Sequence, residues 1–215
     1  VDGCSPPEFD EDFRARLHDL FVWRRDVRRF QKTPLPARTL DHLIEEACLA
    51  PSVGFSQPWR FVVVEDLQRR REIVANFFES NAEALESYKD ERRAQYARLK
   101  LAGLREAPAH LAVFVDEATP GGHGLGRRTM PETLRYSAVA AVCHLWLAAR
   151  AAGIGTGWVS ILDPGRVAET LETPPGWSLV AYLCLGYPQQ VSQEPELEAL
   201  EWERRRSVES LVLRR

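Results

Sequence analysis

Apolar residues recur at helical spacing over residues 9–22 and again over 36–50, where Leu40, Leu43, Ile44 and Ala47 share one face before Pro51 ends the run. Two helices are therefore expected to flank residues 24–30. Short β-branched runs at 60–64, 110–115 and 177–185 read as buried strands, with 158–161 as a fourth. The charge-rich stretches 67–85 and 87–104 carry helical periodicity. Residues 133–152 form a long, mostly apolar helix with Leu145, Trp146 and Leu147, expected at the centre of the fold. Helices and strands alternate without a regular βαβ repeat, and no Gly-x-Gly-x-x-Gly follows the first strand, so a dinucleotide-binding domain lacks its fingerprint. An α+β fold with a sheet wrapped by helices fits better.

Two stretches fall outside this periodic pattern. Residues 119–131 are rich in glycine but lack the Gly-Lys-Ser/Thr ending of a phosphate loop, and read as a surface loop. Residues 193–215 are too charged to make a core of their own and need another surface to order them, such as a partner subunit.

A length of 215 residues with 45% hydrophobic and 27% charged residues suits one domain spanning 1–215, with 1–8 as a flexible N-terminus and 193–215 as a C-terminal arm. A net charge of −3 gives no global attraction to nucleic acid or to an anionic membrane, which favours a small-molecule partner. The apolar runs are too short to span a bilayer and no signal-like segment opens the sequence, so a cytoplasmic location is the default expectation. Cys4, Cys48, Cys143 and Cys184 are scattered without a CxxC pair and read as buried thiols. The histidines show no metal-ligand spacing, and no metal site is expected.

Positive charge matters only where it clusters, and it clusters in Arg24-Arg25-Asp26-Val27-Arg28-Arg29-Phe30. Arginine's planar fork matches phosphate oxygens two at a time, so Arg24, Arg25 and Arg28 are candidates to hold a phosphorylated ligand. Asp26 is the anomaly, because a phosphate would repel it. The heptapeptide alone fits a salt-bridged helix end at least as well as a ligand site. Further on, Pro51-Ser52-Val53-Gly54-Phe55-Ser56-Gln57-Pro58-Trp59 has the makings of a fixed, hydrogen-bonding loop. Gly153-Ile154-Gly155-Thr156-Gly157-Trp158-Val159-Ser160 supplies alternating glycines that suit either a helix cap and turn or close backbone approach to a flat ring.

Arg-Arg-x-x-Arg-x-Phe, Pro-Ser-x-x-x-x-Gln-Pro-Trp and Gly-x-Gly-x-Gly-Trp, in this order, resemble the ordered motifs of FMN-dependent nitroreductase-like proteins, over roughly residues 15–210. The resemblance implies a mixed central sheet wrapped by helices, in a homodimer that exchanges C-terminal arms and binds FMN at its interface. Asp26 stands where typical members have serine, and Phe55 where they have asparagine. With Gly-Trp-Val-Ser160 and residues 92–104, these departures look like the flavin-destroying branch of the family. That branch consumes reduced FMN as a substrate with dioxygen as co-substrate, and yields dimethylbenzimidazole, for the lower ligand of cobalamin, and erythrose 4-phosphate.

On this resemblance, Arg24, Arg25, Asp26, Val27, Arg28, Ser52, Gln57, Leu101, Ser160 and Arg205 contact the flavin, and Asp26 and Ser160 are the catalytic candidates. Residues 88–104 would form a lid. A separate flavin reductase or NAD(P)H would supply the reduced flavin. An NAD(P)H-dependent nitro- or quinone reductase of the same fold is the first alternative, and a non-catalytic flavin carrier the second.

Overall fold

The computed structural model describes residues 5–215; Cys4 and the start of the expected flexible N-terminus lie outside the described residues. In chain order the elements are α1 (Glu11–Trp23), α2 (Thr39–Cys48), β1 (Trp59–Val63), α3 (Leu67–Ser87), α4 (Asp90–Arg98), β2 (Ala109–Asp116), α5 (Thr133–Ala151), β3 (Gly155–Val159), α6 (Pro164–Thr170), β4 (Trp177–Gly186) and α7 (Glu196–Ala199). The helices start where short acceptors stand ready. Asp10 takes the Phe13 N–H at 2.8 Å, Asp66 that of Arg69 at 2.8 Å, and Asp163 those of Gly165 and Arg166.

The strands pair antiparallel in the order β1-β2-β4-β3. The expected mixed character rests on one isolated parallel bridge, Asp26 to Thr156, where the arginine segment runs beside β3. Both faces of the central strands are covered. Leu111, Val113 and Val115 of β2 and Ala181, Leu183 and Leu185 of β4 pack with Leu43 and Ala47 of α2 and Ala138, Ala141, Val142 and Leu145 of α5. The alternate residues Ala112, Phe114, Tyr182 and Cys184 pack with Ile73 and Phe77 of α3, Val167 of α6 and Phe30. The period of two along a strand turns successive side chains to opposite layers, which explains why these strands read as unbroken apolar runs. Among the described residues, no helix is long and apolar enough to cross a membrane.

Four expectations need correction. The helical stretch expected over 87–104 breaks at Tyr88 and ends at Arg98, so Leu101 lies in an irregular segment, half-buried against the second layer. The strand expected at 158–161 begins instead at Gly155 and ends at Val159, leaving Ser160 exposed just beyond it. Only Cys184 among the described cysteines is buried; Cys48 and Cys143 are exposed, at helix positions that face away from the core. Gly155 and Gly157, which suited a helix cap and turn, stand instead inside β3 and make room for the segment at Val27. A Cβ on Gly155 would stand 2.7 Å from Val27 Cγ2, and one on Gly157 would stand 2.1 Å from the Val27 carbonyl oxygen.

Candidate functional site

After α1 the chain turns extended, and Val27 N–H donates to Thr156 O at 3.0 Å, fastening the arginine segment along β3. Asp26 reinforces this on the side-chain level. Its Oδ1 accepts the Trp158 backbone N–H at 2.9 Å and its Oδ2 accepts Arg28 Nε at 2.8 Å. Arg28 also donates through Nη1 to Lys100 O at 3.1 Å, so it joins the segment to the stretch after α4. The Arg24 guanidinium lies 4.7 Å from the centre of the Trp146 ring, whose Nε1 donates to Arg25 O at 3.2 Å. Trp146 thus packs on the core and also braces Arg24 and Arg25, a contact that the periodicity of α5 does not announce.

The C-terminal arm closes over this segment within the same chain. Arg25 donates to Gln193 O, and Arg29 pairs with Glu196. Between arm and segment lies a cavity of about 220 Å³ lined by Arg24, Arg25, Asp26, Arg28, Pro195, Glu196, Leu197 and Arg205. An adjoining cavity of about 240 Å³ shares Arg25, Asp26 and Arg28 and adds Val27, Gln190 and Ser192. The four arginines expected to hold phosphate thus converge, with Asp26 and Val27 beside them. Nothing in the local sequence announced Glu196, Gln190 or Ser192.

The electrostatics fit an anion. Arg25 Nε is buried without a partner, and its guanidinium is held below its ordinary basicity first by partial burial and then by Arg24 and Arg205. Glu198 offsets part of this crowding of positive charge, and an anion would supply the acceptor that Arg25 Nε lacks. Among the described residues, no group of three or more His, Cys, Asp or Glu side chains could hold a metal ion.

Ser52, Gln57, Leu101 and Ser160 line neither of these cavities in the single chain. Ser52 Oγ accepts the Gln57 N–H at 3.1 Å and closes the 52–57 loop on itself. That loop is conformationally strained, with Phe55 at φ 57° and Gln57 at φ 45°. Left-handed backbone at such residues is uncommon and clusters at ligand sites. Phe55 is 79% exposed at its tip. The glycine-rich segment buttresses it: a Cβ on Gly122 would stand 2.5 Å from Gly54 O, and one on Gly121 2.6 Å from Ser56 O. The surface loop expected at 119–131 is therefore the support of the 52–57 loop.

The nitroreductase family model matches residues 21–187, which take in the arginine segment, the 52–57 loop and the whole sheet. The chain belongs to the nitroreductase family. It is 57% identical over 200 residues to a 5,6-dimethylbenzimidazole synthase of Rhodospirillum rubrum, covering 93% of this chain and 95% of that protein. A 5,6-dimethylbenzimidazole synthase of Rhodobacter capsulatus is 43% identical over 91% of this chain and 94% of its own. Among solved structures, oxidized iodotyrosine deiodinase bound to FMN and 3-iodo-L-tyrosine superposes with a TM-score of 0.72 at 27% identity, covering 92% of this chain and 97% of that one.

Proposed function

We propose that this chain breaks down reduced FMN with dioxygen to 5,6-dimethylbenzimidazole and erythrose 4-phosphate, the reaction that supplies the lower ligand of cobalamin. The observation that carries this reading is 57% identity, across nearly the whole of both chains, to a protein bearing the synthase name. Asp26 and Phe55, the two departures from the family's usual residues, favour it over a nitro- or quinone reductase, in which the flavin would be recycled.

When bound, the reduced flavin supplies both the electrons for dioxygen and the carbon skeleton of the product. The protein binds, orients and handles protons. Arg24, Arg25, Arg28 and Arg205 neutralise the phosphate in the cavity they line. Asp26, held at both carboxylate oxygens, is positioned to move protons on the ribityl side. Ser160, exposed two residues beyond the amide that fixes Asp26, aligns the ring.

Ser52 and Gln57 reach a flavin in the arginine cavity from a second subunit. A homodimer is supported by the unpartnered face of α1, where Phe13, Leu17 and Phe21 are exposed and a groove of about 860 Å³ runs past Leu20 and Trp23. Reduced flavin comes from a separate reductase or from NAD(P)H.

The reductase reading is tested with FMN, excess NADH and a nitroaromatic acceptor. Little turnover is expected, and sustained turnover with the flavin intact would overturn the proposal.

A further inference from the structure

The C-terminal arm that closes the arginine cavity is fastened at a distance from it. Across residues 201–215 every residue is exposed except Trp202, three positions before Arg205. The indole meets Tyr88 edge-on, with ring centroids 5.6 Å apart and planes at 81°, and lies 6.1 Å from Tyr96. Arg92 stands over it at 4.7 Å and donates through Nη1 to Trp202 O at 3.0 Å.

The receiving surface is itself tied together. Tyr88 and Tyr96 stack with centroids 4.7 Å apart, and the buried Tyr96 donates to Asn81 Oδ1 at 2.8 Å. Nearer the cavity Arg25 also ties the arm at Gln193 O, and the two remaining ties there are weaker holds. The Arg29–Glu196 pair is half-exposed, and the Arg205 N–H reaches Glu198 Oε1 only at 3.4 Å. Trp202 is the one arm residue past α7 that removes a large apolar surface from water.

From this arrangement we infer that Trp202 is the positioning residue of the anion site: its clasp on Tyr88, Tyr96 and Arg92 keeps Arg205 in the cavity. The inference rests on the reading of that cavity as the phosphate site. The same helix, α4, thus receives the arm through Arg92 and Tyr96 and is followed by Lys100, whose carbonyl holds Arg28. Two arginines on opposite sides of the cavity are referred to one helix. The consequence is selective. Losing the clasp releases Arg205, one of the four arginines, which weakens recognition of phosphate and leaves recognition of the isoalloxazine ring.

The test compares the affinities of oxidised FMN and riboflavin, which lacks the phosphate, by flavin fluorescence titration of the full-length protein and its variants. Trp202→Ala is expected to lower the FMN-to-riboflavin affinity ratio by about tenfold, the loss of one charge-assisted hydrogen bond, with riboflavin affinity retained. Arg205→Ala is expected to lower the ratio similarly, and Trp202→Phe, which keeps an aromatic ring in the clasp, is expected to keep it. If Arg205→Ala lowers the ratio while Trp202→Ala leaves it unchanged, or lowers both affinities equally, the clasp does not position Arg205 and the inference is wrong. If Arg205→Ala itself leaves the ratio unchanged, the phosphate reading is wrong and the inference falls with it.

Discussion

Asp26 Oδ1 accepts the backbone N–H of Trp158 at 2.9 Å, across 132 positions of sequence. That bond makes the carboxylate part of the joint between the arginine segment and β3, beside the Val27 to Thr156 backbone bond. Asp26 bridges Thr156 of β3, and Ser160 follows directly on the end of that strand, so both proposed catalytic side chains depend on one short stretch of chain. The carboxylate is half-exposed, at 30%, and remains open toward the cavity it lines.

Asparagine at position 26 keeps the volume and the acceptor for Trp158 but cannot carry a proton as a carboxylate does. Asp26→Asn is expected to bind FMN and to form dimethylbenzimidazole slower by about 10²–10⁴-fold. Fluorescence titration and a product assay separate the two effects. Product at the original rate would leave Asp26 with its joint-making role alone.

Arg28 has a side chain only 12% exposed and two protein acceptors, the Asp26 carboxylate and Lys100 O. Arg28→Ala is therefore expected to weaken FMN binding by about 1.5–3 kcal/mol and also to lower the stability of the flavin-free protein by about 1–3 kcal/mol, because both acceptors lose their donor. Urea unfolding beside a binding titration measures both. A stability loss with unchanged affinity would reassign Arg28 to structure.

Much of the fold was legible because its signals are local. The periodic faces of α2 and α5, and the apolar runs of β2 and β4, each follow from spacing alone. The arginine segment was legible as charge but not as a joint. The partners that define it, Thr156 and Trp158 for the segment itself and Glu196 for the arm, lie far along the chain. The same remoteness misassigned β3: Gly155 and Gly157 are strand residues made necessary by Val27, and no local rule separates that use from a turn. Trp202 escaped notice inside a charged tail, because its receptor is built from residues at 88–96.

His110, buried against the Tyr182 hydroxyl at 3.0 Å, gives the fold a pH dependence. Burial first, and then the Arg70 charge, push its pKa from 6.5 down to about 4. Between these values the unfolded chain binds the proton and the folded one does not. Stability is thus full above about pH 6.5 and falls as the pH drops toward about 4. Near pH 5 the loss from this group is expected to be about 2 kcal/mol. Urea midpoints at pH 7.5 and 5 should show it, and a flatter dependence is expected in His110→Gln. An equal slope in that variant would place the effect on other groups.

Whether the flavin is consumed or recycled is read from the fate of its carbon. Protein is mixed with chemically reduced FMN in air, and the products are identified by mass spectrometry. Dimethylbenzimidazole, formed in step with the loss of FMN, is the expected result; intact oxidised FMN with no dimethylbenzimidazole would contradict it.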